Sequence, residues 1–337
     1  MGTYTQFKDG YKKEATFGAT DTIDATTQTY LWGAMNQRMR HPSPITTVNY
    51  RPTGVNAKEV PAATDAWKAR FDSRGMYGMW AQNGVVLWAA LGKSSTAGGG
   101  PYTHTITPTT DGTLLPSFCV QHERTGSATD WSTQFLGCKV NDLTLSHDMK
   151  QAPFLMAKIG WLAQKATKVA FTLTNDPVLP PTANDQPFVN LTRTWDYGGT
   201  PLSIDGLVTL EISIENGLFA LFSDSWDTGV YTGQWPKAMV EAFRKQYHVR
   251  FTYHPSTIET ALWDELVASE NTKDALFKWT RSATDYIQVL CSDCKVIEHS
   301  LEEPEGKEEE ELDSVTLEPR ALTVTVVDSI AGGYYGE

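Results

Sequence analysis

The sequence predicts a mainly β protein, an antiparallel β-sandwich or barrel built from two related halves, each with a short helix. Three observations lead there. The composition, 40% hydrophobic and 11% aromatic with 26 Gly and 17 Pro, is that of a folded, turn-rich chain, and 337 residues can bury one large core or two ordinary ones. Alternation recurs: in GLVTLEISIENGL, from 206 to 218, Val208, Leu210, Ile212 and Ile214 fall on one face, with Thr209, Glu211 and Ser213 on the other. That is a sheet with one buried and one wet face. Finally, LGCKVNDLTLSHD at 136–148 returns as DCKVIEHSLEE at 293–303, with Cys138 and Cys294 156 residues apart.

In chain order, residues 1–40 show scattered Thr and Ala with little periodicity and read as an N-terminal arm that orders against a neighbour. The first β half, 41–173, contains KARFDSRGMYGMWAQNGVVLWAAL at 68–91: a strand ending in Arg-Phe, a polar turn, then a segment carrying Leu-Trp. HVRFTYHPSTIETALWDEL at 248–266 repeats this plan in the second half, 195–330. There Ser256 or Thr257 caps a helix with Glu259 in its first turn, and Ile258, Leu262, Leu266 and Val267 form its apolar face. STAGGGPYTHTITPTTDGTLLP is expected as an extra loop of the first half. In CKVNDLTLS, Val140, Leu143 and Leu145 alternate with polar neighbours, and a bulge is expected at Asn141 and Asp142. FLMAKIGWLA at 154–163 answers ALTVTVVD at 321–328 as a final strand. The linker, 174–194, opens with TNDPVLPPTANDQP, whose prolines and Asx residues stop regular pairing.

Of the formal charge of −12, −7 lies in LEEPEGKEEEELD, the acidic loop 301–313. Its Glu302, Glu303, Glu305, Glu308, Glu309, Glu310, Glu311 and Asp313 read as a solvated hairpin extension with few apolar anchors, or as a functional negative surface. No basic stripe for gripping phosphates accompanies it. The longest apolar stretch, GVVLWAALG at 84–92, falls far short of the roughly 20 residues of a membrane-spanning helix. The start has no basic segment followed by an apolar one, so synthesis and folding in a cytoplasm are expected.

The residues offer no catalytic, cofactor or metal site, and a non-enzymatic protein is expected. Cys291 and Cys294 form CSDC, but strand-like sequence on both sides disfavours a redox motif, and the spacing of Cys119 and Cys138 disfavours a zinc site. All four are expected as core thiols. LGKSS at 91–95 has Leu87 where a phosphate loop needs glycine, and Gly98–Gly100 is followed by Pro101, which has no amide to offer an anion. A glycosidase could draw two carboxylates from anywhere, with tryptophans stacking on sugar. The 11 tryptophans, however, sit in patterns that look like core.

KKEATFGAT (12–20), the GCKVNDLTLS strand, a linker, the GLVTLEISIENGL strand and the segment from Ser256 to Val267 together resemble the major tail tube proteins of tailed bacteriophages and related archaeal viruses. The acidic loop and a long helical stretch to Arg281 exceed the family pattern. The resemblance implies a β-sandwich or barrel of tail tube type, in a subunit that closes into hexameric rings stacked as a channel for the genome. The implied partners are further copies of itself, a tape measure, a tail terminator and a baseplate or tail tip. DNA would pass without tight binding, no part of the subunit would enter a membrane, and its place would be the virion tail. The acidic loop would face the lumen or the neighbouring ring. Alternative readings are another virion β protein, such as a tail terminator or spike, or a carbohydrate-active or carbohydrate-binding β protein.

Overall fold

The computed structural model describes residues 6–19, 22–23, 45–50, 58–64, 67–73, 84–109, 114–125, 130–149, 152–173, 192–201, 206–221, 226–227, 230–231, 238–241, 245–254, 259–268, 272–301 and 312–329. The chain begins with β1 (Gln6–Lys13), β2 (Ile45–Tyr50), β3 (Lys58–Thr64), β4 (Trp67–Ser73), α1 (Gly84–Leu91), β5 (Gly92–Ala97), β6 (Tyr102–Pro108) and β7 (Phe118–Thr125). It continues through the long β8 (Trp131–Asp148), β9 (Ala152–Ala163), β10 (Lys165–Lys168), β11 (Thr192–Tyr197), β12 (Thr200–Pro201) and β13 (Leu207–Glu215). Then come β14 (Leu218–Leu221), β15 (Trp226–Asp227), β16 (Val230–Tyr231), β17 (Ala238–Glu241), β18 (Gln246–Tyr253) and α2 (Glu259–Ala268). β19 (Lys273–Ser282), the long β20 (Asp285–Leu301), β21 (Asp313–Glu318) and β22 (Ala321–Asp328) close it. The fold is mainly β and antiparallel, as the alternation predicts.

Sixteen of these strands form one hydrogen-bonded network, because β8 and β20 are each long enough to serve two sheets. One layer runs β4-β9-β8-β13-β18-β21-β20, using the C-terminal parts of both long strands. The N-terminal part of β8 pairs with β7 and β10, and β7 with β1. The N-terminal part of β20 pairs with β19 and β22, and continues through β11 on one side and β6 on the other. Side chains from all these sheets meet in one hydrophobic cluster. Phe118 lies edge-on to Tyr11, Trp88 and Trp161, while Trp195 packs against Trp279 and Phe277. Such aromatic contacts add roughly 0.5–1.5 kcal/mol each beyond buried area.

The two long strands turn the same corner. Gly137 (φ 66°) and Asp293 (φ 52°) both take the left-handed conformation just before the Cys-Lys-Val triplets. The Gln164 amide donates to Leu136 O, and the Arg320 amide to Ser292 O, again 156 residues on. Lys139 pairs with Leu162 and Lys295 with Glu318; a bulge follows at Val140/Asp142 and at Val296/Glu298. The first of these is the bulge expected at Asn141 and Asp142. The Arg-Phe strands also agree: Arg70 lies opposite Gly160, and Arg250 opposite Thr316.

Several expectations are corrected. Residues 6–13 are not part of a free arm but a strand paired with β7. ALTVTVVD corresponds in pairing to β10 rather than to FLMAKIGWLA, since it runs along the N-terminal part of its long strand. The expected extra loop contains the β5–β6 hairpin, because alternation in YTHTITP buries His104 and Ile106. His104 bridges Thr96 Oγ1 (2.7 Å) and Asp328 Oδ1 (3.0 Å), fixing the hairpin to β22. The helical stretch does not reach Arg281: alternation buries Ala275, Phe277 and Trp279, so 273–282 is a strand. In α2, Leu262 and Leu266 turn inward, but Val267, about 100° further round, is 68% exposed. The cap residues Ser256 and Thr257, Ile258, and the proline-rich seam 174–187 lie outside the described residues.

Helix α1 is apolar all round and buried throughout. Its last carbonyls are met from the second half of the chain: Asn216 Nδ2 donates to Ala90 O at 2.9 Å, and Lys245 Nζ to Leu91 O at 3.0 Å. A cation at a helix C-terminus also complements the helix dipole.

Candidate assembly edges

The layer β4-β9-β8-β13-β18-β21-β20 has a buried and a polar face. Across its centre, β13 presents Thr209, Glu211, Ser213 and Glu215 opposite Thr252, Arg250, His248 and Gln246 of β18, and opposite Asp148, Ser146, Thr144 and Asp142 of β8. The described charges on these strands' polar positions are Asp142, Asp148, Glu211, Glu215, Glu298 and Glu318 against Lys158, Arg250 and Lys295. Acids therefore predominate on a broad, hydrated surface. This arrangement forms a wall.

At both ends of the wall the ladder stops. Among the described residues, β4 pairs with β9 on one edge only, and the stretch 295–301 of β20 pairs with β21 on one edge only. Unpaired strand edges are templates for adding another strand. Beside the β20 edge lies an apolar patch: Trp263 is 51% exposed and Ile297 43% exposed, next to Val267 on α2. Trp263 and His299 have ring centroids 6.5 Å apart, which places helix and edge together.

Of the predicted acidic residues, Glu302, Glu303, Glu305 and Glu308–Glu311 lie outside the described residues. The strands they connect are antiparallel neighbours, with Leu301 opposite Asp313. Asp313 is 3% exposed and begins β21, so it anchors the base of that connection. All four cysteines are buried, and none is in a disulfide. Burial, with the charges of Glu14 and Cys119, pushes the Cys138 thiol well up, and burial with its neighbour Cys294 does the same to Cys291. Cys138 and Cys291 are thus core thiols disfavoured as thiolates.

Sequence reasoning missed the work of Glu14 within KKEATFGAT. This buried carboxylate accepts from the amides of Gly137 (2.7 Å) and Gly18 (3.0 Å) and lies 3.5 Å from Cys119 Sγ. It staples the end of β1 to the corner of β8. The only available signal was a lone acid between two lysines and an apolar, glycine-ended segment. Glu123 acts similarly, accepting from the amides of Thr172 and Leu173. Of the tryptophans, Trp88, Trp161, Trp195 and Trp279 are core residues as expected, while Trp131 and Trp263 are 41% and 51% exposed.

The family model described as phage tail tube protein matches residues 10–233, from within β1 to just past the β15–β16 hairpin. No curated protein matches the chain at a significant level.

Proposed function

The chain belongs to the phage tail tube protein family, and from that premise we propose that it is the major tail tube subunit, forming rings of six sheet-bearing units around one axis. The rings stack into the tube that conducts the genome from capsid to host. The observation that carries this reading is the wall itself: a continuous sheet whose described polar face carries more acids than bases, with an edge at each end that is unpaired among the described residues. Joining those edges around a closed ring satisfies both, and a head-to-tail contact closes when its rotation allows. Duplex DNA carries about one charge per 1.7 Å, so a mainly acidic lining lets it slide without binding.

The subunit is made in the host cytoplasm and resides in the virion tail, in contact with a tape measure, a tail terminator and a baseplate or tail tip. The connection carrying Glu302–Glu311 faces the lumen or the neighbouring ring. The role is structural and includes no catalytic step.

Negative-stain electron microscopy of the purified protein across a concentration series tests the reading. Tubes of uniform width with a central channel, or rings of one diameter, are expected; a monomer at every concentration, even with tail-tip extract as initiator, would refute it. For the channel, Glu211→Lys with Glu215→Lys should make tubes retain duplex DNA at low salt and release it at high salt. Equal retention by both tubes would place that face outside the lumen.

A further inference from the structure

We infer that the six units of the ring are half-chains, so that three copies of this protein close one ring. The contact between copies then repeats the contact between halves of one copy. The inference rests on the tail tube reading but does not follow from it.

The halves agree element by element. β4, α1, β7, β8, β9 and β10 are answered in the same order by β18, α2, β19, β20, β21 and β22. The pairings agree in register: Phe118 opposite Cys138 matches Lys273 opposite Cys294, and Val120 opposite Phe135 matches Ala275 opposite Cys291, with the same irregularity between. Even the outer neighbours correspond, since Tyr11 lies opposite Val120 and Tyr197 opposite Ala275. A left-handed corner, two bulges and four ladders repeated at matching positions are the mark of one module present twice.

The first module is covered by the second. β13 fills the seam between β8 and β18, while Asn216 and Lys245 close the end of α1, where Trp88 is buried. The second module lacks this cover. The segment of β20 that corresponds to the β13-facing part of β8 has an unpaired edge among the described residues. Trp263, counterpart of Trp88, is 51% exposed. The occupant that fits is the first half of a second copy, arriving as this chain's own second half arrives on its first.

Native mass spectrometry of isolated rings decides the matter. A ring of three times the 37.3 kDa chain supports the inference. Six chains per ring overturn it while leaving the tube reading intact, and failure to form rings or tubes under any condition overturns both. A second variant tests the surface: Ile297→Lys with Trp263→Ser should lose ring formation while keeping the urea midpoint of the wild-type monomer. Rings forming at the wild-type concentration would overturn the assigned contact, and a shifted midpoint would call for the milder Ile297→Thr alone, read in the same way.

Discussion

At the residue scale, the corner of each long strand makes opposite demands on two different side chains. Gly137 adopts φ 66° with Gln164 Cβ 2.7 Å from where its own Cβ would stand, and the Phe17 ring 3.1 Å away. Gly137→Ala should therefore cost about 2–3 kcal/mol, from left-handed strain and contact together, read as a lower urea midpoint at constant slope. Asp293 bears the same conformation without being glycine, so Asp293→Gly should be neutral or stabilising by up to ~1 kcal/mol. The buried thiols predict an alkaline limit. Because Cys138 and Cys291 are raised above the ordinary 9.0 in the folded state, the unfolded chain releases these protons first. Their contribution is whole below about pH 9 and is lost as pH rises beyond it. Unfolding at pH 7, 9 and 10 should show that loss, reduced in the Cys138→Ala, Cys291→Ala double variant. The repeated Cys-Lys-Val was legible in the sequence, but its two lysines diverge: Lys139 is buried, donating to Met239 O, and Lys295 is exposed. Nothing in a triplet tells which copy will be covered.

At the scale of elements, the strands least periodic in sequence proved structurally committed. β1 holds the edge of a sheet through β7, and Glu14 locks its end to Gly137. Removing residues 1–20 should abolish folding, seen as loss of near-ultraviolet circular dichroism. Replacing 302–311 with a short glycine-containing turn should leave the monomer folded with its midpoint within ~1 kcal/mol, because Leu301 and Asp313 are already paired. Loss of folding in that variant would contradict the solvated extension. The β5–β6 hairpin was hidden by its Gly and Thr content, which reads as loop. Its alternation was present, but only pairing with β22 gives it a buried face.

At the scale of the whole molecule, the main hydrophobic cluster of the described residues is shared by both halves, with a small satellite around Ile23, Cys119, Leu136 and Leu173. Thermal or urea unfolding should be a single transition by fluorescence and circular dichroism alike. Residues 195–330 expressed alone should not fold, since β13 would lose β8 along its whole length. A stable isolated half would show the two units to be energetically independent.

Legible from sequence alone were the fold class, the repeated Cys-Lys-Val segment with its first bulge, and a short helix in each half, though not where the second helix ends. These depend on period-two alternation, apolar runs and turn chemistry, which act over a few residues. Long-range packing settled which strands are neighbours, that β1 belongs to the sheet, that Glu14 is a staple, and that among the described residues the wall ends unpaired at β4 and at 295–301. A strand's pattern records which face is buried but not which partner lies beside it. That choice is made by contacts between residues far apart in the chain.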